Sequence, residues 1–228
     1  MTYYPVCLDL RGRPCVVVGG GAVAERKVRG LLAAGARVTV ISPEMTDGLS
    51  DLSGGEKLEL RRRAFRAGDL AGAFLAIAAT DDEEVQDRVC LEAEKGNLLL
   101  NVADVPERCN FILPAVVRRG DLSIAVSTGG KSPALAKKMR QNLEKSFGPE
   151  YETVVNLLGA LRPVVLAAGQ SSRHNRELFH CLAHEELARW IKEQRWERVE
   201  AHLTAVLGQG PETGWRDILT GFRERLED

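Results

Sequence analysis

The sequence predicts an α/β chain: a parallel sheet in its first half, a small α+β piece after it, and an all-helical end. Three observations carry this. Val16-Val17-Val18 runs straight into Gly19-Gly20-Gly21 and then into an Ala-rich amphipathic stretch, so a buried strand turns directly into a helix. Up to about residue 113, short apolar strands alternate with helical stripes, the pattern of a parallel sheet covered on both faces. From Tyr151 on, the apolar residues recur at helical spacing. The expected division is therefore 1–113, 114–149 and 150–228.

Tyr3-Tyr4-Pro5-Val6-Cys7-Leu8-Asp9-Leu10 reads as a lead-in that could form an edge strand, and Arg11-Gly12-Arg13-Pro14 as a turn. Cys15–Val18 is the first core strand. From Ala22 to Ala34, Val23, Val28, Leu31 and Leu32 form a helical stripe, Glu25, Arg26, Lys27 and Arg29 are polar positions, and Gly35 stops the helix. Arg37–Pro43 is the second strand, and Thr46–Gly55 a short helix and loop. Leu58–Arg63 is the third strand, whose basic end suits a solvated sheet edge. Phe74–Thr80 is the fourth. Asp81-Asp82-Glu83-Glu84 then places acids in the first turn of a helix that runs to Gly96, as the dipole prefers. Asn97–Val102 is the fifth strand.

The pattern then changes. Phe111–Val117 and Leu122–Ser127 read as two strands joined by a turn at Arg118-Arg119-Gly120-Asp121. Ser132 can cap a helix that starts at Pro133 and runs to Phe147. Two strands and a helix bury too little to stand alone, so this piece is expected to pack on a partner subunit. In the helical end, Val154, Val155, Leu157, Leu158 and Leu161 form one face. Leu178, Phe179, Leu182, Leu187, Trp190 and Ile191 form another. Trp196–Leu207 and Trp215–Leu226 are further helices, broken near Gly208 and Gly210-Pro211.

Composition excludes several function classes. Hydrophobic residues make up 44% and charged residues 28%, which is ordinary for a globular protein. No apolar run approaches the ~20 residues that span a bilayer, and Met1–Pro5 lacks the basic and apolar regions of a signal peptide. A formal net charge of −1 gives no global pull toward nucleic acid or membrane. Five scattered cysteines without a C-x-x-C fit a reducing cytoplasm, each read as a small buried or half-buried hydrophobe. His180 and His184 have i, i+4 spacing but no third ligand nearby, so no metal site is expected.

Chemistry gathers at the carboxyl ends of the parallel strands, where ligands of such sheets bind. Gly19, Gly21 and Ala24 fit the G-x-G-x-x-G/A dinucleotide fingerprint, in the required strand-turn-helix context of a Rossmann-like sheet. Helix N–H groups near Ala22 and Val23 would face a pyrophosphate. The second strand ends in Ser42, Pro43 and Glu44 rather than the acid that usually grips the adenosine ribose, and Arg37 lies at the wrong end to favour NADP. Thr80 and Asp104 complete the rim. Asp104 precedes Val-Pro and caps no obvious helix, so it is a candidate base or a turn former.

Four motifs together resemble the precorrin-2 dehydrogenase / sirohydrochlorin ferrochelatase family, which forms the N-terminal module of sirohaem synthase and also occurs alone. They are Val18–Lys27, Ala78–Asp82, Asn101–Asp104 and Val126–Pro133. The resemblance covers residues 1 to about 145, while the tail matches only in length and character. It implies NAD-dependent oxidation of precorrin-2 to sirohydrochlorin, often followed by insertion of Fe²⁺ or Co²⁺. It implies a cytoplasmic homodimer with the segment from Pro114 to about Phe147 exchanging contacts between subunits. Ala22, Val23, Pro43 and Glu44 are then NAD contacts, and Asp104 is the key carboxylate, taking a proton in the oxidation and pyrrole N–H protons in metal insertion. Thr128, Lys131, Arg118 and Arg119, with Lys137 and Arg140, are then candidate contacts for the substrate's eight carboxylates. In some relatives the Thr128 position is a phosphorylated serine. The chain ends before a methyltransferase domain, so the three-function synthase is not expected. The competing reading is a non-catalytic module that senses NAD(H), although such modules usually carry the ribose acid missing here.

Overall fold

The structure, a computed structural model, describes residues 3–52, 55–167, 171–208 and 214–227. The chain separates into two compact units, Met1–Leu113 and Pro114–Asp228.

The first unit is a five-stranded, all-parallel sheet in the order β3-β2-β1-β4-β5. Its strands are β1 (Pro14–Val18), β2 (Arg37–Ile41), β3 (Leu58–Arg61), β4 (Leu75–Ala78) and β5 (Leu99–Val102). Helices α1 (Ala22–Ala33), α2 (Asp47–Asp51) and α3 (Glu83–Lys95) connect them. β1 lies in the middle, with Val16 opposite both Thr39 and Ala76. Alternation along β1 sends Cys15 and Val17 into the cluster that holds Ala24, Val28 and Leu31 of α1, and Val16 and Val18 into the cluster that holds Val89 and Ala93 of α3. Burying both faces is what makes the central strands β1 and β4 apolar throughout. Burial also pushes the Cys15 thiol up to about 11.

Several boundaries move for physical reasons. The lead-in is not a strand: residues 3–10 form no ladder, and Leu10 is the one among them that is buried. Strand β2 ends at Ile41, because Pro43 has no N–H to give the ladder. Strand β3 ends at Arg61, and Arg63 turns to grip Asp69 through two hydrogen bonds of 2.7 and 2.6 Å. As expected, β3 is an edge strand; Asp82 lies just before α3 rather than in its first turn and caps it by accepting the Val85 N–H.

The second unit contains the hairpin β6 (Ala115–Arg119) and β7 (Leu122–Val126), then α4 (Pro133–Ser146) and α5 (Glu150–Ala167). It ends with α6 (Ser172–Leu182), α7 (Leu187–Lys192), α8 (Trp196–Leu207) and α9 (Trp215–Glu227). Three corrections arise here. Phe111 belongs to the first unit's core rather than to β6, because its carbonyl accepts from the Asn101 amide. Arg118 and Arg119 are ladder residues, so the turn is only Gly120-Asp121. The apolar run from Leu178 to Ile191 is two helices, because α6 stops at Leu182 and α7 starts at Leu187.

The hairpin is not bare within one chain, since α4 and α5 both pack on it. Its covered face carries Val117 and Val126, and Val116, Arg118, Ser123 and Ala125 face the other way. The helical core assembles Leu157, Leu161, Leu182, Leu187, Val199, Leu203 and Trp215. The break at Gly208 is present, where φ is +81°, whereas Gly210-Pro211 lies outside the described residues.

Candidate functional site

In the first unit, the four rim loops are tied together through the backbone. The Gly19 N–H donates to Ile41 O (2.9 Å), Thr46 N–H to Gly20 O (3.0 Å), Ala79 N–H to Val18 O (2.7 Å) and Ala103 N–H to Ala78 O (2.8 Å). The turn after β1 therefore meets the Ser42–Glu44 loop on one side and the Ala79-Thr80 loop on the other.

Gly19 and Gly21 are glycines for opposite reasons. Gly19 has φ +119°, and a Cβ there would run into the Ala79 carbonyl, so its need is internal to the fold. Gly21 has φ −78°, which any residue adopts, and a Cβ there would meet no protein atom within 4 Å. It is the N-cap of α1 with no side-chain cap, and the first helical bond is Glu25 N–H to Gly21 O at 3.0 Å. The N–H groups of Ala22 and Val23 precede that first helical bond and have no partner within the helix. That is the cradle a dinucleotide pyrophosphate requires.

Ser42 is half-buried, and Pro43 and Glu44 are exposed. Residues the sequence reading passed over hold this loop. The Glu25 carboxylate accepts from the Thr46 hydroxyl (2.7 Å) and from Arg29 (2.7 Å). Thr46 in turn caps α2 by accepting the Leu49 N–H at 3.2 Å. The Thr46 hydroxyl, then Arg29, hold the Glu25 carboxyl below its usual range. The available signal was a threonine just before an acid-led short helix. Thr80 accepts the Asp82 N–H at 3.3 Å, and its carbonyl accepts from the buried Gln86 amide at 2.7 Å.

Asp104 is exposed, two residues past β5, in a left-handed conformation of φ +61°. Aspartate is among the few side chains that tolerate this. Cys109 supports the turn from below. Its Sγ accepts the Val102 N–H at 3.1 Å and lies 3.3 and 3.4 Å from the Val102 and Val105 carbonyls. It is thus a hydrogen-bonding residue, not merely a small hydrophobe. Cys7 and Cys181 are exposed, contrary to the same expectation. Lys27 is half-buried rather than a solvated polar position, and burial drives its amine below the usual lysine range.

In the second unit, Ser132 caps α4 by accepting the Leu135 N–H (3.3 Å), and the Thr128 hydroxyl accepts the Ser132 N–H (3.1 Å). Lys131, Lys137 and Arg118 are exposed cations. Arg119 has a structural role that the sequence did not suggest. It donates to Phe147 O (2.9 Å), Glu144 O (3.1 Å) and Arg118 O (2.8 Å), which fastens the hairpin to the end of α4. Arg140 pairs with Glu144 one turn on. His180 and His184 share no helix face, because α6 ends between them, and His184 stacks on Trp190. Among the described residues no group of three or more His, Cys, Asp or Glu could hold a metal ion, and no helix is long and apolar enough to cross a membrane.

Residues 6–115 match the family model described as putative NAD(P)-binding, and residues 119–146 the one described as sirohaem biosynthesis protein, central. The chain is 40% identical over 179 residues, 78% of its length, to a sirohaem synthase of Methylococcus capsulatus. It is 36% identical over 222 residues, 97% of its length, to sirohaem synthase 2 of Aeromonas salmonicida. It spans only 38% and 46% of those two proteins. Among solved structures, SirC, a precorrin-2 dehydrogenase, matches with a TM-score of 0.74 at 30% identity, covering 87% of this chain and all of that one.

Proposed function

Since the chain belongs to the family of precorrin-2 dehydrogenase and the sirohaem synthase N-terminal region, we propose that it dehydrogenates precorrin-2 to sirohydrochlorin with NAD as oxidant. The observation that carries the reading is the rim of the first unit: an empty-faced Gly21 at an uncapped helix start, on the same carboxyl edge as an exposed aspartate that caps no helix. The Gly21 backbone and the Ala22 and Val23 N–H groups hold the pyrophosphate. Ser42, Pro43 and Glu44 line the adenosine side, with Thr80 near the turn. NAD, when bound, accepts a hydride from a carbon of the reduced macrocycle. Removing two hydrogens also requires a proton to leave, and Asp104 takes it as a carboxylate.

The same carboxylate is proposed to take the pyrrole N–H protons when Fe²⁺ or Co²⁺ enters sirohydrochlorin. Of the second unit's cations, Lys131 and Arg118 are proposed to meet substrate carboxylates, and Thr128 to shape the Lys131 loop. The competing reading, an NAD(H) sensor, is not favoured by the Ser42-Pro43-Glu44 loop after β2.

Anaerobic incubation with precorrin-2 and NAD⁺, followed at the NADH absorbance, tests the proposal. Wild-type protein should form NADH, and Asp104→Ala should lose at least ~100-fold in rate with NAD binding retained. NADH formation by Asp104→Ala at the wild-type rate removes the residue from the reaction. Failure of the wild type to form any NADH leaves the sensor reading. Added Fe²⁺ or Co²⁺ should then be inserted faster than in protein-free controls.

A further inference from the structure

Lys27 sits where a charge is costly. On α1 the residues shielded on the sheet side recur as Val23, Ala24, Lys27, Val28 and Leu31, and of that stripe only Lys27 is charged. It stands one turn beyond Val23 on the helix that begins at Gly21, and it is half-buried. Among the described residues no carboxylate lies within 4.0 Å of its amine. The titratable groups acting on it are Arg26, which opposes its charge, and Asp104 and Cys109, which favour it. Glu25 is committed to Thr46 and Arg29. A half-buried ammonium without an ion-pair partner lowers stability relative to an apolar residue at the same position. The same arrangement leaves a half-buried positive charge, one that the Asp104 carboxylate favours, without an ion-pair partner among the described residues and able to bind an anion.

We propose that Lys27 is a substrate-binding residue of the Asp104 site, its ammonium meeting one acidic side chain of the tetrapyrrole. This rests on the proposed function, whose substrate carries carboxylates around its rim. Such a contact orients the macrocycle so that the reacting carbon, rather than a peripheral acid, faces Asp104.

The test is a titration of the full chain with metal-free sirohydrochlorin, read by its visible absorbance, for wild type, Lys27→Met, Lys27→Gln and Lys27→Arg. Losing one charge-assisted contact should weaken binding roughly ten- to a hundredfold in both neutral variants, with Arg retaining most of it. NAD affinity should not change. With precorrin-2 as substrate, KM should rise while kcat holds. The octamethyl ester should bind the wild type no better than it binds Lys27→Met, which separates charge recognition from packing. Unchanged sirohydrochlorin affinity in the neutral variants overturns the inference and leaves the proposed function intact. A fall in NAD affinity, or in kcat alone, also overturns it, by giving the ammonium to the cofactor or to Asp104. A wild-type chain that neither binds sirohydrochlorin nor forms NADH overturns the proposed function and this inference with it.

Discussion

Gly19 and Gly21 stand two residues apart, and alanine at each should separate folding from binding. Gly19→Ala puts a Cβ at φ +119° against the Ala79 carbonyl and should destabilise the first unit by at least ~2 kcal/mol in denaturant titration. Gly21→Ala meets no protein atom and has an ordinary φ, so the denaturation midpoint should hold or rise slightly. Its NAD dissociation constant should rise at least tenfold by calorimetric titration, because the methyl enters the cradle. Equal loss of stability in both variants would contradict the assignment of Gly21's need to a ligand. At this scale the glycine turn was legible from its strand-turn-helix context, and Asp104 from its place after the fifth strand, with the resemblance supplying its expected role. Glu25, Lys27 and Cys109 were not. A charged residue on a helix reads as solvated until the opposite element is known, and a cysteine's partners are set by a turn that spacing does not reveal.

Among the elements, Arg119 gives the clearest prediction. Its guanidinium joins β6 to the C-terminal end of α4, where free carbonyls need donors. Arg119→Ala leaves the Phe147 and Glu144 carbonyls short and should cost about 1–3 kcal/mol in the second unit's unfolding. Lys should recover only part, lacking the planar fork. Sirohydrochlorin affinity of the well-folded fraction should stay at the wild-type value; a large loss would return Arg119 to the substrate. The elements themselves were largely readable. All five parallel strands, the capped starts of α3 and α4 and the hairpin follow from apolar runs, Ser-Pro and Asp-led starts, and Gly turns. Misreadings occur where chemistry and periodicity disagree. Phe111 looks like a strand residue but is held by Asn101 from outside the hairpin. The Leu178–Ile191 run keeps a helical rhythm across a chain break in direction at Ala183–Glu186.

At the level of the whole molecule, each of the two units has its own core, and acid should distinguish them. Burial holds the His202 imidazole below its usual range, so its contribution is full above pH ~6.5 and is lost as the pH falls toward the lowered value. Arg63, the largest influence, holds the Asp69 carboxyl down, so that contribution is full above pH ~4 and is lost in stronger acid. Calorimetry from pH 7 to 5 should therefore lower the second unit's transition first. Saturating NAD should raise only the first unit's transition, by about 2.7 kcal/mol at a hundredfold excess over the dissociation constant. The homodimer that the resemblance implies is checked by sedimentation: the hairpin face with exposed Arg118, Ser123 and Ala125 is open to a second copy, and a species of twice the chain mass is expected. Trp190, Trp196 and Trp215 all lie in the second unit. Emission excited at 295 nm thus watches the helical unit alone, and a denaturation curve read this way is blind to the unit that carries Gly21 and Asp104. The chain carries a natural optical label on one half, and any mismatch between its fluorescence and its heat-absorption profile measures how independently the halves melt.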